Sequence, residues 1–186
     1  MKILFFSDTH GSCDALERIM ELDAELKPDL LAFLGDALYH GPRNEISADY
    51  NPRGAAKLFN DIKDKLVAVR GNCDSEVDQV MLEFPLMESY TTIIDGWQRF
   101  FLTHGHIWGE QQVPPLPSGT IFASGHTHVA RIARGENGIV FLNPGSTTRP
   151  KYGAPPSYGL YDGRRLSVLE LFTSKEMLSL NLGAAD

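Results

Sequence analysis

The sequence predicts an α/β chain of two mixed sheets packed together and flanked by helices, and three observations lead there. The first part of the chain alternates continuous apolar runs with amphipathic helical patterns, the grammar of β-α units. From residue 91 onward, strand-like segments follow one another through Asp95-Gly96, Asn137-Gly138 and Asp162-Gly163, dipeptides favoured in two-residue hairpins. Clusters of Asp, Asn and His close apolar runs in both parts, so both parts build one place and residues 1–186 are read as a single domain.

Residues 2–7 read as a buried strand, and Ser12 opens a helix that puts Leu16, Ile19, Met20 and Leu26 on one face before Pro28 stops it. Residues 29–34 form a second continuous apolar run, of the kind found in parallel strands covered on both faces. Residues 37–51 show no period and carry Gly41, Pro42, Asn44 and Asn51, which predicts a long loop of functional length. Asn51 and Pro52 make an N-cap and first-turn pair for a helix to about Lys65, with Ala55, Leu58, Phe59 and Ile62 inward. Residues 66–69 are the third strand, and residues 164–182 read as two final strands. Between them Pro144 to Pro156 holds four of the eleven prolines and predicts a loop over one end of the sheets.

At 42% hydrophobic content the chain can bury a core. A net charge of −7 without a basic cluster argues against a nucleic-acid scaffold role or an anionic membrane partner. No apolar stretch reaches spanning length, and the N-terminal run meets Asp8 too soon for a signal peptide. The two cysteines, Cys13 and Cys73, lie within three residues of candidate ligands rather than in a disulfide pattern, which places the protein in the cytoplasm.

Five polar clusters follow five apolar runs: Asp8-Thr9-His10, Gly35-Asp36, Gly71-Asn72-Cys73-Asp74, Thr103-His104-Gly105-His106 and Gly125-His126-Thr127-His128. In wound sheets, ligands gather beyond the carboxyl ends of strands. Asp8, His10, Asp36, Asn72, His104, His126 and His128 supply seven nitrogen and oxygen donors, more than one tetrahedral site needs. Two divalent cations sharing one carboxylate, for which Asp36 is the candidate, account for that count. Mixed imidazole and carboxylate ligation suits Mn²⁺, the expected metal, and also admits Fe²⁺, Zn²⁺ or Ni²⁺. Two cations against the carboxylates of Asp8 and Asp36 leave a locally positive site that attracts an anionic substrate.

These motifs, together with residues 36–44, the run through Asp78 and Asn143-Pro144-Gly145-Ser146, resemble the calcineurin-like metallophosphoesterase family over about residues 1–165, and within it the small bacterial YfcE-type phosphodiesterases. The resemblance implies a four-layer αββα sandwich. It implies one metal at Asp8, His10, Asp36 and His128, and a second at Asp36, Asn72, His104 and His126. It also implies phosphodiester hydrolysis by in-line attack of a hydroxide bridging the two metals, with Asp36, Asn72, Cys73 and His104 as the candidate catalytic group.

Cys73 is a departure, because many relatives place there a histidine that contacts phosphate and protonates the leaving group. Beside two cations its thiol is expected to lose its proton or turn away from phosphate. His40, Arg43, Asn44 and Cys73 are the candidate substrate contacts, and Asp74, His106 and Ser146 are candidates to support the ligands from behind, His106 through a hydrogen bond. Trp108 is assigned either to a pocket wall or to the core. The expected partner is a small phosphodiester, and a homo-oligomer is compatible with the sequence. Competing functions are a phosphomonoesterase or nucleotidase, and a noncatalytic scaffold like the small retromer subunit.

Overall fold

In chain order the strands are Ile3–Phe6 (β1), Leu30–Phe33 (β2), Leu66–Ala68 (β3), Tyr90–Asp95 (β4), Gln98–Thr103 (β5), Ile121–Ala123 (β6), Arg131–Arg134 (β7), Val140–Asn143 (β8), Ser157–Tyr161 (β9), Arg165–Glu170 (β10) and Glu176–Asn181 (β11). The helices are Cys13–Leu26 (α1), Pro52–Asp61 (α2) and Glu76–Met81 (α3). The structure is a computed structural model, and it describes residues 1–183. The strands form a six-stranded sheet ordered β11-β10-β9-β1-β2-β3 and a five-stranded sheet ordered β4-β5-β6-β8-β7.

Every residue of β1 is fully buried because both faces of its sheet are covered. Leu4 and Phe6 point to the helical side, where they meet Leu16 and Ile19 of α1 and Ala55 and Phe59 of α2. Ile3 and Phe5 point to the other sheet and meet Phe100, Leu102, Ile121 and Val140. The two sheets therefore share one core, and truncating a side chain as enclosed as Phe59 costs about 3–5 kcal/mol.

The helix starts follow their caps: the Ser12 hydroxyl accepts from Ala15 N–H, and the Asn51 side chain accepts from Gly54 N–H. The second helix stops at Asp61, and Lys63–Lys65 forms a short 3₁₀ turn instead of continuing to Lys65. The sequence reading did not include α3. Its six residues are too few to show a period, and what holds it is a capping box between Ser75 and Asp78.

Two mixed sheets match the expected fold class, with a different division of labour. The later strands do not form a separate antiparallel half. Strands β9, β10 and β11 complete the first sheet in antiparallel pairing, while β5, β6 and β8 run parallel in the second. Helices α1 and α2 pack on the first sheet, and the outer face of the second is covered by an irregular segment. In that segment Trp108, Val113 and Leu116 pack on Phe101, Phe122 and Phe141, so Trp108 belongs to this outer core.

Candidate metal centre

Each candidate ligand leaves the carboxyl end of a strand that runs parallel to a neighbour: Asp8 and His10 after β1, Asp36 after β2, Asn72 after β3, His104 after β5, and His126 and His128 after β6. The two sheets face each other, so these ends converge. Asp8, His10, Asp36, His126 and His128 all adopt left-handed backbone, with φ between 45° and 65°. Such conformations cost about 1–3 kcal/mol each for residues other than glycine and collect where the surrounding fold imposes a function. The glycines permit the crowding. A Cβ on Gly71 would collide with the Asp36 carboxylate, and one on Gly125 with the Ser7 hydroxyl.

Three imidazoles are turned the same way. His10 Nδ1 donates to Tyr39 O at 2.8 Å, His104 Nδ1 to Leu34 O at 2.7 Å and His128 Nδ1 to Arg149 O at 2.7 Å. A backbone carbonyl only accepts, so each ring carries its proton on Nδ1 and presents an Nε2 lone pair inward. His10 Nε2 and His128 Nε2 are then 3.5 Å apart with no proton between them. His128 Nε2 lies 3.2 Å from Asp8 Oδ1, a fully buried oxygen without a hydrogen-bond partner. On the other side His104 Nε2 lies 3.1 Å from Asn72 Oδ1 and 3.5 Å from Asp36 Oδ2. Lone pairs aimed at one another across such distances repel unless a cation or a proton sits among them. The donor set thus fits divalent metals, and the groupings Asp8-His10-His128 and Asp8-Asp36-His104 each bring their ligand atoms within 4.8 Å of one another.

Asp36 lies between the two groups. Its Oδ2 is 3.8 Å from His10 Nε2 and 3.5 Å from His104 Nε2, while its Oδ1 accepts from Cys73 N–H at 2.8 Å. Only one oxygen is free to face both sides. Asp74, expected behind the ligands, accepts from the backbone N–H groups of Asp36, Ala37 and Gly71 and so ties two ligand loops together. Burial pushes its carboxyl up to about 6 against those three donors.

The electrostatics follow from burial and pairing. Burial alone would raise the Asp8 carboxyl, but in the metal-free protein a second proton, on His128 Nε2, would be shared with Asp8, and that contact with the nearby His104 and His128 charges brings the carboxyl down to about 2. Burial alone would lower His128, and Asp8 lifts it above its ordinary value. Burial lowers His10 and His126, which favours their neutral, ligating forms. In the protein by itself, burial and then the Asp36 charge push the Cys73 thiol up to about 12. Loss of its proton therefore depends on the cations.

The other candidate residues divide between structural contacts and exposed positions. Ser146 Oγ donates to Asp8 O at 2.9 Å and accepts from Arg149 N–H, so it joins the first ligand loop to the proline-rich segment. His106 makes no side-chain hydrogen bond among the described residues. Its exposed ring packs edge-on against His104 at 5.3 Å, and burial together with His104 and His126 lowers it to about 4. On the long loop, Arg43 is exposed, and the Asn44 amide donates to His40 O at 2.8 Å rather than pointing free. The ring of His40 packs against Tyr39 and Tyr50, and its buried Nδ1 has no partner.

Sequence reasoning missed the carbonyls of Leu34, Tyr39 and Arg149, which orient three histidines. It also missed Thr148, whose hydroxyl donates to Asp8 O at 2.8 Å. Backbone acceptors carry no residue signature. Asn143 was legible as part of a turn, and its amide donates to Gly125 O and Thr127 Oγ1, which holds the His126-His128 loop.

Residues 1–165 match the calcineurin-like phosphoesterase superfamily domain. The chain is 45% identical to phosphodiesterase YfcE of Escherichia coli K12 over 171 residues, covering 92% of each. The solved structure of that bacterium's YfcE, described as a phosphoesterase, superposes with a TM-score of 0.96 at 41% identity over 98% of this chain and all of the other. Vacuolar protein sorting 29 from Cryptosporidium parvum shares the fold at a TM-score of 0.62 and 22% identity, over 97% of each chain. The convergent donors and the match over most of its length place this chain in the calcineurin-like phosphoesterase superfamily.

Proposed function

We propose that the chain is a phosphodiesterase working with two divalent cations, one held by Asp8, His10, Asp36 and His128 and the other by Asp36, Asn72, His104 and His126. The observation that carries this reading is the inward set of Nε2 lone pairs beside Asp8 Oδ1, a constellation whose mutual repulsion is relieved by cations or by a proton among them. Mn²⁺ is the proposed metal, with Fe²⁺, Zn²⁺ or Ni²⁺ compatible with the same donors. When bound, the cations supply an activated water for in-line attack at phosphorus and neutralise charge on the phosphoryl oxygens.

The residues of the chain do the positioning. Asp36 is held through Oδ1 by Cys73 N–H, so Oδ2 would be the oxygen left to hold the cations. His104 and Asn72 define the side next to Cys73, whose thiol is a poor proton donor to a leaving oxygen. Arg43 is the proposed phosphate contact on the long loop, with His40 and Asn44 shaping that loop. The similarity to a protein named phosphodiesterase supports diester over monoester substrates. A monoesterase or nucleotidase differs in substrate alone, and retention of all seven donors disfavours a noncatalytic scaffold. We further propose a cytoplasmic protein with no membrane or nucleic-acid scaffold role. Among the described residues, no helix is long and apolar enough to cross a membrane.

Chelator-treated protein should not hydrolyse bis(p-nitrophenyl) phosphate, and addition of Mn²⁺ should restore turnover. Undiminished hydrolysis after metal removal, or none after reloading, contradicts the reading.

A further inference from the structure

A sheet edge offers unpaired N–H and C=O groups to any other strand, and folds blunt such edges with charge, bulges or brevity. Three of the four edges here are blunted in this way. Strand β7 carries the exposed Arg131 and Arg134, β11 opens on the exposed Glu176 beside a register shift between Val168 and Leu169 of β10, and β3 is three residues long. Strand β4 differs. It is six residues long and runs Tyr90-Thr91-Thr92-Ile93-Ile94 without a charge before Asp95.

The turn at the end of β4 fixes which of its groups are free. Asp95 pairs with Gln98 across the two-residue turn Gly96-Trp97, so Asp95, Ile93 and Thr91 bond to β5 while the backbone of Tyr90, Thr92 and Ile94 faces outward. Among the described residues, none of these outward groups has a backbone partner. The side chains of the same three residues are exposed, Tyr90 at 51% and Ile94 at 60%. Ahead of Tyr90 the edge is closed, because Glu88 O accepts from Arg70 N–H at 2.8 Å.

The free stretch is complementary to itself. Laid antiparallel about a two-fold axis at Thr92, it sets Thr92 against its own counterpart and Tyr90 against the partner's Ile94, an aromatic and β-branched pair. Both pairs join outward-facing residues, so each exchanges two backbone hydrogen bonds. No like charges meet, since Asp95 faces the partner's Ser89 and Glu88 faces the partner's Gly96. The Tyr90 ring stacks on Phe101 of the outer core at 5.1 Å, and the pairing continues that apolar face across both copies.

We propose that β4 pairs with β4 of a second copy in this register, and that each copy thereby lends Trp97 to the metal centre of the other. The turn of one copy runs out against Met87, Glu88 and Ser89 of its partner, residues that line a cleft of about 320 Å³ together with Arg70 and the candidate ligand Asn72. Trp97, 58% exposed in the single chain, then stands at the mouth of that cleft.

Sedimentation equilibrium of the full chain gives its mass in solution. Thr92→Lys sets two ammonium groups face to face and should halve the native mass at equal concentration. Thr92 is exposed, and circular dichroism checks that this variant and Thr92→Glu keep the fold. Mixing the two should restore the native mass, because Thr92 faces its own counterpart. Trp97→Ala should weaken the pair about tenfold. A native protein of single-chain mass overturns the proposal, as does a folded Thr92→Lys protein of native mass or a mixture that stays at half of it. An unchanged dissociation constant in Trp97→Ala overturns the contribution of Trp97. Sedimentation needs no substrate, so failure of the aryl diester assay strikes the phosphodiesterase reading alone.

Discussion

Cys73 meets the site through both its backbone and its thiol. Its backbone N–H holds Asp36 Oδ1, its Sγ accepts from the Asn72 amide at 3.2 Å, and burial with the Asp36 charge keeps the thiol protonated in the metal-free protein. A thiol is a weak donor, so the leaving oxygen gains little from it. General-acid assistance is worth about 10²–10⁴-fold and matters most for leaving groups that depart poorly as anions. Cys73→His should therefore raise kcat/KM for monoesters relative to activated aryl diesters, and an unchanged ratio across native, Cys73→His and Cys73→Ala proteins would remove Cys73 from specificity.

The Asp8–His128 pair makes a separate prediction at the same scale, for protein kept free of metal. His128 is raised in the folded state, so its contribution is complete below 6.5 and disappears as pH rises through the raised value. Asp8 is depressed, so its contribution is present above 3.8 and is lost as pH falls toward about 2. Thermal melts in chelator should show both limbs, and His128→Phe should flatten the alkaline one. An alkaline limb of the same slope in that variant would mean that the pair does not stabilise the metal-free fold.

At the scale of elements, the apolar runs and hairpin dipeptides were readable because each obeys a local rule. The run 2–7 became the buried β1, and Asn137-Gly138 and Asp162-Gly163 lie between antiparallel strands, whereas Asp95 ends β4 and pairs with Gln98, so that turn is Gly96-Trp97. The parallel pairing of β5 with β6 was not readable, because nothing in residues 104–120 has the period of a crossover helix. The seven candidate ligands were visible as Asp, Asn and His at strand ends. Their orientation was not, since it depends on carbonyls of Leu34, Tyr39 and Arg149 that any residue would offer. The long loop between β2 and α2 is anchored at the site by Tyr39 O on His10 and by the Arg149 guanidinium on Glu45 O, which leaves Arg43 exposed at its tip. Arg43→Ala should raise KM for diesters by about tenfold with metal content intact, as expected when one charge-assisted phosphate contact is lost. Unchanged kinetics over several diesters would return Arg43 to a solvated loop.

At the scale of the molecule, the first sheet brings Asp8, His10, Asp36 and Asn72, and the second brings His104, His126 and His128, so neither sheet holds a complete site. Packing them on one core is what assembles the centre, and Asp36 Oδ2 lies between the imidazoles of His10 and His104. The most direct measurement is metal stoichiometry by elemental analysis of metal-reconstituted native and Asp36→Asn proteins. Two equivalents are expected in the native chain, with weakened binding at both sites together in the variant, because an amide cannot supply the shared anionic oxygen. Two equivalents held with unchanged affinity by Asp36→Asn, or a single equivalent in the native protein, would contradict this expectation.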